Sequence, residues 1–176
     1  MYAGYNTMHR TLYVLVYPSR LFAAHWSFWL PYIDANNQQS NIGDRIHVTG
    51  DRLNGFQYEY IRNYDVCEDD RHPTAFPIGL VSETYLSKAS KGGNSTSSGE
   101  GDTKDIALNA FDEACREVPA PGPSLNKVNR TEVDKATGAP HKKVEVKDCQ
   151  WWIKEAVSNL IKSEILLALD EGSLRS

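Results

Sequence analysis

Residues 148–161, DCQWWIKEAVSNLI, decide how this chain can fold. Apolar residues recur in this stretch at intervals of three and four, which is the spacing of the buried face of a helix. Asp148 precedes them, at a position where an aspartate side chain accepts hydrogen bonds from the first N–H groups of a helix. The pattern predicts a helix that begins after Asp148, packs on a sheet and ends near Gly172. Its apolar face comprises Cys149, Trp152, Ile153, Ala156, Val157, Leu160 and Ile161.

Segments upstream of this helix are rich in β-branched and aromatic residues, which favour strands. Five strands are predicted, over 11–17, 25–33, 45–49, 56–64 and 76–81. A polar loop over 34–43 separates the second strand from the third. Another helix is expected from Asp105, as its cap, to about Glu117, ahead of Pro119 and Pro121. Because the strands come first and the helices later, we expect an α+β fold in which an antiparallel sheet packs against helices.

The size and composition of the chain suit one domain. It has 176 residues, 40% of them hydrophobic, which is enough for a single core, and we expect one domain over 1–176. Residues 88–104, KASKGGNSTSSGEGDTK, offer almost nothing to bury and are predicted to form a mobile insert. Residues 124–143 are expected to be irregular. Whether either segment is a lid over a site stays open.

The charges and cysteines exclude several classes of protein. The net charge is −4 and the basic residues form no cluster longer than two, so a nucleic-acid partner is not expected. Residues 1–10 lack the apolar core of a signal peptide, and polar residues interrupt the apolar run over 21–33, so no membrane span is predicted. Three cysteines at wide spacings fit neither a disulfide framework nor a zinc site and indicate a cytoplasmic location. No cofactor is expected, and the oligomeric state stays open.

Cys149 carries the strongest chemical signal in the sequence. On the first turn of a helix, the helix dipole and unpaired N–H groups favour the thiolate, which is the nucleophilic form. His25 and His47 fall on strands that are close enough in sequence to form a hairpin. His25 is therefore the expected general base and His47 the residue that orients it. Cys67 lies in an acidic run and Cys115 toward the end of a helix, so neither is a favoured nucleophile.

The register of His47 against His25 stays open, since a shift of one residue turns a strand side chain to the opposite face. Along the second strand, alternation places one set of residues, His25, Ser27 and Trp29, opposite another, Trp26, Phe28 and Leu30. The expected substrate-binding residues are Trp26 and Trp29 near His25, and Gln150 and Trp152 near Cys149.

The same residues also permit functions without acyl transfer. A free cysteine on an apolar helix face is most often a core residue, so a non-catalytic module that binds a hydrophobic ligand stays open. A thiol pKa at or above the free value of about 8.5 would support that alternative. A metal centre of His25, His47 and Cys149 is a third possibility. The sequence holds no local ligand pair of the usual spacing, and no metal is predicted.

Three motifs resemble those of one known group of enzymes. They are HWSFWL at 25–30, GDRIHV at 43–48 and DCQWWI at 148–153. In this order they are similar to the circularly permuted papain-like (NlpC-type) thiol enzymes of the lecithin:retinol acyltransferase-like group. That group has a strand beginning His-Trp, a following strand with a second His, and a helix start Asn-Cys-Glu-His-Phe. The resemblance implies a permuted papain-like core with His25 as general base, His47 as third polar member and Cys149 as nucleophile.

The resemblance also implies a reaction. The protein would be a cysteine-dependent acyl-transfer enzyme that forms an acyl-Cys149 intermediate from an ester, thioester or amide. Its partner would be a small-molecule or acyl-carrier-type substrate. The motifs leave open whether water or another acceptor takes the acyl group, and so whether the enzyme is a hydrolase, an acyltransferase or a cyclase. Asp148 stands where the group has Asn, and Gln150 and Trp151 where it has Glu and His.

Overall fold

The described strands form one antiparallel sheet. The computed structural model describes residues 8–19, 23–87, 107–124 and 147–169. The strands are β1 (His9–Tyr17), β2 (His25–Ile33), β3 (Gln39–Asp51), β4 (Gly55–Asp65), β5 (Thr74–Ser82) and β6 (Leu166–Leu167), and their order in the sheet is β4-β3-β2-β1-β5-β6. The helices are α1 (Glu83–Leu86), α2 (Ala110–Arg116) and α3 (Cys149–Lys162). The predicted α+β arrangement is confirmed.

The face of the sheet beneath α2 and α3 forms the main core. Alternation along β2 places Phe28 and Leu30 on this face, and Phe111 and Trp152 cover it from the two helices. The Trp152 ring packs on the Phe28 ring with centroids 5.9 Å apart, and its Nε1–H donates to the Val118 carbonyl at 2.9 Å. Trp152 is fully buried, so it fixes α3 on the sheet by both apolar contact and a satisfied polar group.

The opposite face of the sheet carries a second, smaller cluster. Its buried members and the half-buried rings against them are Leu15, Tyr17, Trp29, Tyr13 and Tyr64. His25 lies on this face, because its ring packs beside the Tyr17 ring with centroids 5.5 Å apart. The two histidines therefore project away from the face that α3 covers.

The helix α3 ends at Lys162, so the predicted end near Gly172 is wrong. The backbone of Glu164 has a positive φ of 56°, and the Ile165 N–H donates back to the Leu160 carbonyl at 3.0 Å. The chain then leaves the helix because the core takes up Ile165 and Leu166 in an extended segment, β6, which pairs with β5. Gly172 itself lies outside the described residues.

Other predicted boundaries also differ from the structure, most clearly those of the polar loop and of α2. The predicted polar loop over 34–43 is shorter, since β3 begins at Gln39 and pairs with Ile33 there. The helix α2 begins at Ala110 rather than near Asp105, because the Asn109 side chain caps it by accepting the Asp112 N–H at 2.8 Å. Asp105, the predicted insert 88–104 and most of the segment 124–143 lie outside the described residues. No helix in the described ranges has the length and apolar character to cross a bilayer.

Candidate functional site

The strands β2 and β3 diverge at one end of the sheet. Their shared ladder ends at the pair Phe28 and Ile46. β1 nevertheless stays paired with β2 as far as His25, and β4 stays paired with β3 as far as Asp51. The divergence leaves an opening between residues 25–27 of β2 and residues 47–51 of β3, which we call the fork.

Cys149, the first residue of α3, lies at the fork. The backbone N–H of Trp26, on the β2 side, acts on the Cys149 thiol as a hydrogen-bond donor. The next residue of the helix, Gln150, donates from Nε2 to the Ala24 carbonyl at 2.7 Å. These contacts tie the start of α3 to the start of β2 and leave Cys149 only 8% exposed. The helix α3 and the His25 side chain lie on opposite faces of the sheet. At the fork, however, the first residue of α3 reaches the end of β2 that carries His25.

The thiolate is less favoured than the helix position alone predicts. Burial raises the pKa of the Cys149 thiol and the Asp148 carboxylate adds to this shift, whereas the backbone N–H groups of Trp26, Gln150 and Cys149 oppose it. The N–H groups at the start of α3 were expected to be unpaired. Two of them, those of Gln150 and Trp151, donate to Asp148 Oδ1 at 3.0 and 3.2 Å. The resting group at the fork is therefore a neutral thiol beside the capped end of a helix.

A row of polar side chains crosses the sheet beside the fork. His25 pairs directly with Tyr17 on β1, and His47 pairs directly with Glu59 on β4. His25 Nε2 lies 2.9 Å from His47 Nδ1, and His47 Nε2 lies 2.8 Å from Glu59 Oε2. The strand register thus places both histidines on one face and joins them through hydrogen bonds to a carboxylate.

Both imidazoles are held neutral. Burial, followed by the charges of His47, Arg45 and Arg71, lowers the pKa of His25 to about 4. Burial, with the charges of Arg45 and Arg71, lowers the pKa of His47 to about 3. Arg45 is itself buried, and its guanidinium lies over the Tyr17 ring, 5.0 Å from the centroid. At neutral pH each imidazole therefore carries one N–H and one lone pair, and His25 is able to accept a proton.

A cavity of about 460 Å³ opens at the fork. His25 and Cys149 both line it, so the structure brings the predicted base and the predicted nucleophile to one space. The β3–β4 turn and the cap of α3 supply much of the remaining wall. The described residues around the cavity, besides these two, are Ala23, Gly50, Asp51, Arg52, Leu53, Phe56 and Asp148. Its volume falls in the range of small-molecule sites.

The wall that the β3–β4 turn provides is braced from two sides. Arg52 Nη2 donates to Asp148 Oδ2 at 2.8 Å, which joins the turn to the cap of α3. Residues 118–124 cross behind the turn. The Ser124 N–H donates to the Arg52 carbonyl at 2.9 Å, and the Phe56 N–H donates to the Pro121 carbonyl at 2.8 Å. The cavity wall is therefore held by backbone hydrogen bonds as well as by an ion pair.

The four residues predicted to bind substrate do not line this cavity. Trp152 is fully buried in the main core, and Trp29 is 3% exposed in the cluster on the other face. The side chain of Trp26 packs toward the main core and that of Gln150 is engaged with Ala24. Their sequence proximity to His25 and Cys149 suggested a binding role, but alternation and helix packing turn the rings into the two cores.

The side chains at the fork are not arranged around a metal. His25 and His47 direct ring nitrogens at each other at 2.9 Å, which is a hydrogen bond rather than a pair of ligands to one ion. Among the described residues, no group of three or more His, Cys, Asp or Glu side chains is placed to hold a metal ion.

A family model matches residues 12–167, which include the whole row of polar side chains and Cys149. The chain belongs to the family of unknown function DUF6540. No curated protein and no solved structure matches it. The matched range begins within β1 and ends with β6, so the described residues of the fork and its cavity lie within the part of the chain that the DUF6540 family model matches.

Two residues of the site were missed by the sequence analysis. Glu59 lies within the alternating strand FQYEYIRNY, and only the β3–β4 register shows that it faces His47. Arg52 lies in a turn 96 residues before Asp148, its partner. Of the two, only Glu59 could have been proposed from the sequence. If the hairpin register is assumed, a carboxylate on the strand that follows a histidine-bearing strand is a candidate partner for that histidine.

Proposed function

We propose that this protein is a cysteine-dependent acyl-transfer enzyme with a permuted papain-like (NlpC-type) core. Cys149 is the nucleophile, His25 the general base and His47 the residue that orients His25. The observation that carries the proposal is the shared cavity: a buried thiol at a helix start and His25, which is hydrogen-bonded to His47 behind it, line one space at the fork. The order of the three residues along the chain also matches the enzyme group that the motifs resemble.

The proposed reaction begins with a neutral pair. His25 takes the proton of the Cys149 thiol, and the sulfur forms a bond to the carbonyl carbon of an ester, thioester or amide. Because the pKa of the thiol is raised and that of His25 lowered, the proton moves as the sulfur–carbon bond forms rather than in the resting protein. The carbonyl oxygen takes up the negative charge, and the backbone N–H of Cys149 is the donor assigned to it in this proposal.

The second half of the reaction regenerates the thiol. The tetrahedral intermediate collapses, the bond to the leaving group breaks, and His25 gives its proton to that alcohol, thiol or amine. Water or a second nucleophile then attacks the carbonyl carbon of acyl-Cys149 while His25 removes its proton. The sulfur–carbon bond breaks, and His25 returns that proton to the Cys149 sulfur. Apolar side chains of Leu53 and Phe56 in the cavity wall suit an apolar group beside the reacting carbonyl.

Intact-protein mass spectrometry tests the proposal. The full chain with Cys67→Ser, which removes the exposed thiol, is incubated with a panel of acyl thioesters and activated esters. We expect a mass increase of one acyl group that is absent when Cys149→Ala is added. Cys115 is fully buried and serves as an internal control. Failure of every ester and thioester to give an adduct that depends on Cys149 would overturn the proposal.

One observation favours a second function. The raised pKa and the burial of the Cys149 thiol also suit a non-catalytic module that binds a hydrophobic ligand in the same cavity. Such a module needs no reactive thiol. It would bind an apolar ligand equally well with Cys149→Ala and would form no acyl adduct, so the mass spectrometry separates the two functions.

A further inference from the structure

Glu59 lies outside the predicted set of Cys149, His25 and His47, yet it ends the hydrogen-bonded row. The β3–β4 register pairs it directly with His47, so their side chains share one face of the sheet. Its Oε2 lies 2.8 Å from His47 Nε2. The Glu59 side chain is 48% exposed, whereas that of His47 is 5% exposed. Glu59 therefore contacts the buried His47 from the solvent side.

The direction of each hydrogen bond in the row follows from its chemistry. A carboxylate only accepts hydrogen bonds, so the bond to Glu59 requires a proton on His47 Nε2. A neutral imidazole has one protonated nitrogen, which leaves a lone pair on His47 Nδ1. The 2.9 Å contact then requires His25 Nε2 to donate. The remaining ring nitrogen of His25, Nδ1, carries a lone pair.

We propose that Glu59 is a positioning residue that fixes the tautomers of both histidines and leaves His25 Nδ1 as the proton acceptor for Cys149. This inference rests on the proposed function, because it assigns the thiol as the proton donor. It also accounts for a half-exposed glutamate at the end of a buried row.

Glu59 acts on the transition state as well as on the resting state. When the sulfur–hydrogen bond breaks and a proton joins His25 Nδ1, the ring becomes an imidazolium. Its Nε2–H stays bonded to His47 Nδ1, and His47 stays bonded to the Glu59 carboxylate. The negative charge at the end of the row stabilises the positive charge on His25 without receiving a proton, as the aspartate of a catalytic triad does.

Three variants separate this role from a structural one. Glu59→Gln keeps the size of the side chain but offers an amide N–H to His47 Nε2. That bond permits the reversed row, in which His25 Nδ1 carries the proton and cannot accept another. Glu59→Asp keeps the carboxylate and is the conservative rescue. Glu113→Gln, at an exposed position on α2, removes one charge elsewhere and is the matched control.

Nitrogen-15 histidine spectra of the full chain at pH 7 read the tautomers directly and need no substrate. We expect His25 Nδ1 to lack a proton in the wild type and in Glu113→Gln, and a large fraction to carry it in Glu59→Gln. The rate at which p-nitrophenyl acetate acylates Cys149 should fall about 10- to 100-fold in Glu59→Gln. Glu59→Asp should keep the wild-type tautomer and recover at least part of the rate.

The outcomes distinguish the two proposals. A wild-type His25 that is protonated on Nδ1, or an unchanged tautomer in Glu59→Gln, overturns the role of Glu59. If the tautomers change as expected but Cys149 is not acylated even in the wild type, the role of Glu59 in the row stands and the proposed function fails.

Discussion

The two faces of the sheet are stabilised in different ways. Beneath α3, the side chains are mainly apolar. Phe28, Trp152 and Ile153 stabilise the fold because their surfaces are removed from water. On the other face, His25, His47 and Glu59 are polar, and His47 joins the other two through one hydrogen bond to each. Burying such groups costs stability unless every partner is present. The first face accounts for the fold and the second for the chemistry, and the fork connects them at Cys149.

Removing the largest side chain of the apolar face should give the largest effect. Trp152→Ala is expected to reduce the free energy of unfolding by about 3–5 kcal/mol, since it leaves a cavity and an unpaired Val118 carbonyl. Urea denaturation measures this change. Trp151→Ala is the matched control, because Trp151 is only half-buried at the edge of the main core, where Lys147 lies over its ring. Equal losses in the two variants would contradict the packing of α3 described above.

The polar face should make stability depend on pH. The pKa of a free histidine is about 6.5, whereas burial lowers that of His25 to about 4 and that of His47 to about 3. Between these values the unfolded chain binds protons that the folded chain does not. The contribution of these two groups to stability should therefore be constant above about pH 6.5 and decline as the pH falls toward 4, by on the order of a few kcal/mol.

Thermal or urea unfolding across this pH interval checks the sign. His47→Gln removes one of the two buried imidazoles and should weaken the decline below pH 6.5. If the free energy of unfolding rises on acidification, or if its decline is unchanged in His47→Gln, the lowered pKa values of His25 and His47 are contradicted.

The smallest effects should come from the cap that joins the two faces. The Asp148 carboxylate raises the pKa of the Cys149 thiol, and Arg52 is bound to that carboxylate. Asp148→Asn retains a side-chain oxygen for the cap and should lower the thiol pKa, because the negative charge beside the sulfur is removed. Arg52→Gln should raise it. The pH dependence of iodoacetamide alkylation in a Cys67→Ser background measures both, and a higher thiol pKa in Asp148→Asn would refute this assignment.

The sequence predicted the elements whose patterns are local. The bounds of β2 agree with the structure because its aromatic and apolar run ends where the polar residues from Asp34 begin. Asp148 caps α3 because the apolar stripe of the helix begins at the next residue. Strand residues 39–43 were predicted as loop, since polar side chains conceal a ladder that only pairing with β2 reveals. The end of α3 was missed because β6 depends on the edge of β5, which is remote in sequence.

Less of the site followed from the sequence than of the fold. Cys149, His25 and His47 were found by residue type and order, but the register that unites the histidines is a property of the hairpin. The fork, Glu59 and Arg52 each depend on contacts between segments that no periodicity encodes. The aromatic residues Trp29 and Trp152 were assigned to substrate because ring side chains look alike in sequence whether they line a cavity or fill a core.

The rate of acylation of Cys149 tests the central claim, that His25 activates this thiol, most directly. The full chain with Cys67→Ser is treated with p-nitrophenyl acetate at pH 7, and intact-protein mass spectrometry follows the acetyl adduct with and without His25→Gln. We predict that His25→Gln lowers the rate at least about 100-fold while the urea midpoint stays close to its original value. Equal rates in the two proteins would contradict the account.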